Sequence, residues 1–103
     1  MYHGAAPLKN STIDFFAALD MQLMTVYGLS ETTGGITFNC LTNCNLHSAG
    51  QILPGYELYI HNPDSQGIGE IVCRGRCNFL GYLGNEKATT EVVRPDGFFH
   101  TGD

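Results

Sequence analysis

The stretch that decides the fold is Tyr27-Gly28-Leu29-Ser30-Glu31-Thr32-Thr33-Gly34, which directly follows the apolar residues 22–26. Residues 22–26 are partly β-branched, so we predict a short buried strand that ends where the quoted stretch begins. In open α/β sheets, ligands bind just beyond the carboxyl ends of strands. An aromatic ring, a glycine, hydroxyl groups and a carboxylate at such a junction can hold a base, a phosphate and a metal ion. This stretch therefore predicts a nucleotide-binding site.

Two further motifs lie downstream of this stretch. Gly69-Glu70-Ile71 precedes Arg74-Gly75 and Phe79-Leu80-Gly81-Tyr82, and the last residues are Phe99-His100-Thr101-Gly102-Asp103. The last motif, like the first, combines turn residues with a carboxylate. Each motif alone is weak evidence of function, but three in this order are strong evidence.

The first half of the chain has the pattern of an α/β segment. A helix is predicted over residues 12–19 because its apolar residues have helical spacing, and Ser11 with Asp14 resembles a capping box. A second short strand is predicted over residues 36–38, and residues 39–47 are polar and irregular.

After Pro54-Gly55 the pattern becomes that of strands. Strands over residues 56–60 and 70–74 are predicted to pair as a hairpin, because residues 62–67 consist of turn-forming types. Asn85 is predicted to cap a helix over residues 86–93, and a last strand covers residues 98–100. The predicted fold class is α/β, with an α/β part over residues 1–47 and a β-rich part over residues 48–103.

Composition excludes several classes of function. A chain of 103 residues forms one domain or a piece of one. Its five basic residues are scattered among ten acidic ones, so no basic stripe is present to bind a nucleic-acid backbone. No apolar run is long enough to span a bilayer, and no secretory leader opens the chain. We therefore expect a globular protein that does not bind nucleic acid.

The four cysteines form two C-x3-C pairs, Cys40 with Cys44 and Cys73 with Cys77, and His47 lies near the first pair. One interpretation is a zinc site, although zinc ligands are usually closer together in sequence. The other is buried reduced thiols, since Cys73 lies in a predicted strand. No feature indicates disulfides, so we expect a reducing compartment.

Together these motifs resemble those of the adenylate-forming enzymes, which include acyl-CoA synthetases, luciferases and the adenylation domains of peptide synthetases. The matching patterns are Y-G-x-[ST]-E-[ST] at residues 27–32, S-x-G-x-x-x-P-G at 48–55, G-E-[IL]-x-x-[RK]-G at 69–75 with G-Y at 81–82, and [HRY]-[ST]-G-D at 100–103. Residues 4–8 and 79–86 are most similar to the long-chain fatty-acid synthetases of the bubblegum type. The resemblance covers nearly the whole chain. It implies the last part of a large amino-terminal domain, in which a short α/β segment precedes a β-rich, distorted barrel-like subdomain.

The resemblance also implies a reaction in two steps. A fatty acid and ATP form an acyl-adenylate and pyrophosphate, and the thiol of coenzyme A then displaces AMP to give a thioester. Mg²⁺ is the implied cofactor, and ATP and coenzyme A are the implied co-substrates. The parent enzyme would be cytoplasmic, and peripheral association of that enzyme with membranes stays open.

The implied site residues follow the family motifs position by position. Ser30 and Glu31 match catalytic positions, with Glu31 as the carboxylate ligand of Mg²⁺. Tyr27 matches the ring that packs on adenine, and Gly28 the position where a side chain would collide with the substrate carboxylate. The remaining contacts to ATP or AMP match Gly4, Ala5 and Ala6 at the adenine pocket, Ser30 and Thr32 at the phosphates, and Asp103 at both ribose hydroxyls.

The family's phosphate loop and its small carboxy-terminal domain with the catalytic lysine have no counterpart in this sequence. We therefore expect a fragment of a fatty-acid–CoA ligase, inactive when isolated, whose partners include the missing parts of the parent enzyme. Two alternatives stay open: a non-catalytic nucleotide-binding or regulatory chain, and a small zinc-organised interaction module.

Overall fold

A computed structural model describes residues 1–40, 42 and 45–103 of the chain. The chain divides into two compact units, Met1–Leu53 and Pro54–Asp103, and each is described by itself. The predicted boundary, after residue 47, lies six residues earlier than the observed one. The reason is the strand Gln51–Ile52, which pairs with a strand of the first unit.

The first unit is a four-stranded sheet with one helix. Its elements are β1 (Tyr2–His3), α1 (Asn10–Ala18), β2 (Met24–Leu29), a 3₁₀ turn (Ser30–Thr32), β3 (Gly34–Phe38) and β4 (Gln51–Ile52). The strand order is β1-β2-β3-β4. Strand β1 runs parallel to β2, and the other pairs are antiparallel. The buried apolar side chains of this unit are Ile13, Leu23, Met24 and Ile36.

Strand β2 is one of the two inner strands of this sheet, and it is longer than predicted. It continues through Leu29, because residues 26–29 pair with β3. Tyr27 and Gly28 therefore lie within the strand, and only the following Ser30–Thr32 turn lies beyond its end. Strands β1 and β3 flank β2 on its two sides.

The start of α1 differs from the predicted capping box. The helix begins at Asn10, with an extended Lys9 at its N-cap and no side-chain cap. The Lys9 carbonyl accepts hydrogen bonds from the amides of Thr12 and Ile13. Ser11 is therefore inside the first turn, where it cannot cap the helix.

The second unit is a three-stranded antiparallel sheet with one helix. Its elements are β5 (Tyr56–His61), β6 (Glu70–Gly75), α2 (Glu86–Val92) and β7 (Phe99–His100). The strand order β5-β6-β7 confirms the predicted hairpin, and the Asn85 side chain accepts from the Ala88 amide as the predicted cap. The expected barrel-like shape is wrong for the described residues, because three strands form an open sheet that does not close. The buried core of this unit consists of Val72, Cys73 and Phe99.

Neither helix of the described residues is long and apolar enough to cross a membrane.

Candidate functional site

The turn after β2 is closed by Thr32. The Thr32 residue is 1% exposed. Its hydroxyl oxygen accepts from the Leu29 amide at 2.9 Å, and it lies 2.9 Å from the Leu29 carbonyl oxygen and 2.7 Å from that of Gly34. Thr33 then turns the backbone into the left-handed region at φ 58°. Thr32 therefore ties the turn to both flanking strands.

This burial changes the interpretation of Thr32, whose hydroxyl was predicted to contact phosphate. A hydroxyl has one proton to donate, and the two carbonyl oxygens within reach both belong to the backbone. The Thr32 hydroxyl therefore shapes the turn. Within the Ser30–Thr32 turn, the exposed hydroxyl is that of Ser30.

The candidate polar ligands, Ser30 and Glu31, are the first two residues beyond β2. Ser30 is exposed, and Glu31 is half-buried. Tyr27 is also half-buried, three residues before the turn, in register with Thr37 of β3. A hydroxyl and a carboxylate thus stand at the carboxyl end of a central strand, where ligands bind in open α/β sheets.

The structure explains why position 28 requires glycine, and the explanation differs from the one predicted from the sequence. It pairs with Gly35 of β3, next to a shift in register after Tyr27. A Cβ atom added to Gly28 would lie 1.9 Å from the Gly34 carbonyl oxygen. The predicted collision was with a substrate carboxylate. In the structure, the backbone of the neighbouring strand occupies the position that a side chain would need.

Gly4, Ala5 and Ala6 follow β1, which runs parallel to β2. Because β1 pairs with the first two residues of β2, the segment that follows β1 begins beside Val26 of that strand. A Cβ atom on Gly4 would lie 2.7 Å from the Val26 carbonyl oxygen. Ala5 has a φ of 68°, and both alanines are exposed. The structure therefore brings the predicted adenine-lining segment to the strand that carries Tyr27.

Sequence reasoning missed the groups that hold the chain after β3. Asn39 is 1% exposed. Its side-chain amide donates to the carbonyl oxygens of Asn45 at 2.6 Å and Ser48 at 3.2 Å. Gly50 has a φ of 89°, and a Cβ atom there would lie 2.2 Å from the Phe38 carbonyl carbon. The S-x-G pattern signalled the glycine, but a single asparagine in a polar segment carried no signal.

Asp103, the predicted ribose ligand, lies in the second unit and is exposed. Its carbonyl oxygen accepts from the Ile71 amide at 3.0 Å, and its amide donates to the Thr101 hydroxyl at 3.2 Å. That hydroxyl in turn donates to the Ile71 carbonyl oxygen at 2.8 Å. The backbone of Asp103 is therefore fixed to strand β6 on both sides of its side chain.

Glu70 precedes Ile71 on β6 and makes two contacts with the same segment. Its Oε2 lies 2.9 Å from His100 Nδ1, and its Oε1 accepts from the Gly102 amide at 3.1 Å. The hydrogen bond with His100 holds the pKa of Glu70 below its ordinary value. Partial burial opposes this shift, and the Gly102 amide adds to it. The His61 ring stands 5.1 Å from that of His100 and also favours the charged carboxylate.

We expect the free energy of unfolding of the chain to fall as the pH drops below the ordinary glutamate pKa of 4.5. A carboxylate whose folded pKa is lowered stabilises the fold above its unfolded pKa, and this contribution is lost as the pH falls through the folded pKa. Urea denaturation between pH 7 and pH 3 measures the loss. Glu70→Gln should flatten the curve.

Asp64 supplies the matched comparison for this pH dependence. Hydrogen bonds from the amides of Ile68 and Gln66 lower its pKa, so Asp64→Asn should remove a separate part of the same slope. A double variant with the full wild-type slope would contradict the assignment of this pH dependence to these two carboxylates.

The cysteines do not form a metal cluster among the described residues. Cys73 is fully buried, and burial raises the pKa of its thiol. Cys77 is exposed and Cys40 is half-buried, so the interpretation as buried thiols holds fully for Cys73 alone. Cys44 lies outside the described residues.

His47, which the zinc interpretation placed near the first cysteine pair, contacts an acidic residue of α1. Its Nε2 lies 3.2 Å from Asp14 Oδ1.

Comparison with known proteins agrees with the motifs. The profile of the family described as AMP-binding enzyme matches residues 1–83. The long-chain-fatty-acid–CoA ligase heimdall of Drosophila melanogaster is 48% identical over 102 residues, which cover 99% of this chain and 15% of that protein. The human long-chain-fatty-acid–CoA ligase ACSBG1 is 42% identical over the same share of this chain, which is 14% of its own length. This chain therefore spans about one seventh of these relatives.

A solved structure with the same fold is a malonyl-CoA ligase in a ternary product complex with methylmalonyl-CoA and AMP bound. It superposes with a TM-score of 0.85 at 32% identity, over 99% of this chain and 23% of that one. The sequence comparison and the fold comparison thus give the same relationship.

Proposed function

Since this chain belongs to the AMP-binding enzyme family, we propose that it forms the nucleotide-holding part of a long-chain-fatty-acid–CoA ligase. The observation that supports this most strongly is the Ser30–Thr32 turn. The buried Thr32 closes it, and Ser30 and Glu31 stand at the carboxyl end of a central strand. The names of the Drosophila and human relatives support the substrate class.

The proposed reaction has two displacements. A carboxylate oxygen of the fatty acid attacks the α-phosphorus of ATP, the bond to the bridging oxygen breaks, and pyrophosphate leaves. The sulfur of coenzyme A then attacks the acyl carbon, its proton is lost, and AMP leaves with the carboxylate oxygen. Both steps bring anions together, so positioning and electrostatic stabilisation supply most of the rate enhancement.

We assign the roles in this reaction from burial and position. The Ser30 hydroxyl is exposed and donates to a phosphate oxygen, whereas the Thr32 hydroxyl holds the turn that presents Ser30. The Tyr27 ring packs on adenine, and Gly4, Ala5 and Ala6 line the adenine pocket beside β2. The Asp103 carboxylate accepts from the ribose hydroxyls, because its two oxygens can each take one such bond.

The donor set of the turn fits Mg²⁺. This ion prefers oxygen ligands and is usually held by one or two carboxylates together with substrate phosphates and waters. Glu31 supplies one carboxylate, and no cluster of three acidic, histidine or cysteine side chains among the described residues competes for a metal. When bound, Mg²⁺ would neutralise charge on the phosphates of ATP. The chain's own contribution is to hold the Glu31 carboxylate on a turn fixed by Thr32.

A hybrid ligase tests this proposal. In it, residues 1–103 replace the matching segment of the Drosophila relative, and the rest of that protein supplies the remaining elements. We expect the hybrid ligase to form acyl-CoA from a long-chain fatty acid, ATP and coenzyme A. AMP release measures the reaction. The isolated 103-residue chain, assayed in parallel, is expected to release none.

The matched control is the Drosophila ligase with its own segment in place, expressed and assayed in the same way. A soluble hybrid ligase that binds ATP but never adenylates a fatty acid would contradict the proposal. AMP release by the isolated chain would contradict the expectation that the remaining elements are required.

A further inference from the structure

Each residue of the segment Thr101-Gly102-Asp103 makes a hydrogen bond with β6 through a backbone group. The Thr101 amide donates to the Ile71 carbonyl oxygen at 3.2 Å, and the Asp103 carbonyl oxygen accepts from the Ile71 amide at 3.0 Å. Between these two backbone contacts, the Gly102 amide donates to Glu70 Oε1 at 3.1 Å. Glu70 is thus the side chain that holds the residue immediately before Asp103.

Gly102 is the residue of this segment whose conformation most needs to be held. Its φ is 77°, and an added Cβ atom would meet no heavy atom within 4 Å. Gly102 thus has no side chain to restrict its backbone, and glycine has more accessible conformations than any other residue. A hydrogen bond from its amide to a fixed carboxylate selects one of them.

The Glu70 carboxylate is itself held in place. Its Oε2 lies 2.9 Å from His100 Nδ1, and the side chains of His100 and Glu70 are 14% and 31% exposed. One oxygen bonds the ring of β7 while the other bonds the Gly102 amide, so the carboxylate has little freedom to turn. The Glu70 carboxylate therefore links His100 of β7 to the backbone immediately before Asp103.

We propose that Glu70 is a positioning residue that fixes the Gly102 backbone, and thereby presents the Asp103 carboxylate to the ribose hydroxyls of ATP. This inference rests on the proposed function, because it concerns the ribose contact of the same reaction. Glu70 touches no substrate. Glu70 acts only by positioning Asp103. Substitution of Glu70 should therefore weaken recognition of the ribose more than it weakens the other contacts with substrates.

The test compares ATP with 2′-deoxy-ATP in the hybrid ligase. With the wild-type segment, loss of a hydrogen bond to the Asp103 carboxylate should lower kcat/KM for 2′-deoxy-ATP by roughly 10- to 100-fold relative to ATP. In Glu70→Ala, ATP itself should become a poorer substrate. The ratio between the two nucleotides should then fall to about threefold or less, because a displaced Asp103 discriminates weakly. The KM for the fatty acid should not change.

Three further variants distinguish a positioning effect of Glu70 on Asp103 from a general loss of folded structure. Glu70→Gln keeps an oxygen for the Gly102 amide and should retain most of the discrimination. Glu70→Asp keeps the charge but withdraws the carboxylate by one methylene, and it should behave like Glu70→Ala. Glu57→Ala removes another carboxylate of the same sheet, one that bonds Arg74 on the neighbouring strand, and should leave the nucleotide ratio unchanged.

The outcomes distinguish this inference from the proposed function. A hybrid ligase with the wild-type segment that makes no acyl-CoA would overturn the proposed function, and this inference with it. An active hybrid ligase that treats the two nucleotides alike would overturn the ribose role of Asp103. An active hybrid ligase in which Glu70→Ala and Glu70→Asp keep the full wild-type ratio would overturn the positioning role alone.

Discussion

Glu31→Ala in the hybrid ligase is expected to slow acyl-adenylate formation by about 100- to 1000-fold, the usual effect of removing a preorganised electrostatic group. The physical reason is charge. A fatty-acid carboxylate must approach the phosphates of ATP, and a metal ion held by Glu31 would offset their repulsion. Fatty-acid-dependent exchange of labelled pyrophosphate into ATP measures the adenylation step without the thioester step.

Two controls define the result for Glu31. Glu91→Ala removes an exposed carboxylate from α2, and we expect it to leave the exchange rate unchanged. Glu31→Gln keeps the shape of the side chain and loses the charge, so it should be nearly as slow as Glu31→Ala at ordinary Mg²⁺ and recover part of its rate as Mg²⁺ is raised. Exchange by Glu31→Ala within threefold of the wild-type rate would contradict the metal role.

Gly28→Ala should destabilise the first unit by at least about 3 kcal/mol, the upper end of the cost of overpacking. The added Cβ would lie 1.9 Å from the Gly34 carbonyl oxygen and 2.7 Å from the Gly35 Cα. These are backbone atoms of a paired strand, so no rotation of a side chain relieves the collision. Strand β2 would have to separate from β3, and the Ser30–Thr32 turn would move with it. Urea denaturation of the chain measures the loss.

Gly67→Ala is the matched control for Gly28→Ala. Gly67 has a φ of 81° and open space around an added Cβ, so the substitution should cost only about 1–2 kcal/mol for the left-handed backbone. Equal destabilisation by the two substitutions would show that loss of glycine flexibility, and not the collision with β3, is the cause. In the hybrid ligase, adenylation should be lost with Gly28→Ala and kept with Gly67→Ala.

The elements predicted correctly are those with local causes. The β5–β6 hairpin follows from the turn residues between its strands, and α2 follows from the Asn85 cap that accepts from the Ala88 amide. Strands β1 and β4 were not predicted, because each has two residues and exists through pairing with a neighbour. That pairing is also why β2 is an inner strand, and why the first unit extends to Leu53.

The features of the candidate site also separate into those with local causes and those that depend on residues elsewhere in the chain. Ser30 and Glu31 could be proposed from the sequence because a hydroxyl and a carboxylate follow an apolar strand directly. The burial of Thr32 could not be read from its motif, since it depends on the carbonyl oxygens of Leu29 and Gly34. Glu70 could not be linked to Gly102 either, because 32 positions separate the two along the chain.

A crystal structure of the active hybrid ligase with ATP and Mg²⁺ tests the central claim most directly. We predict that a Glu31 carboxylate oxygen binds Mg²⁺ at about 2.0–2.1 Å or through one water, and that the Tyr27 ring lies against adenine. An active enzyme in which both side chains point away from the bound nucleotide would contradict the account.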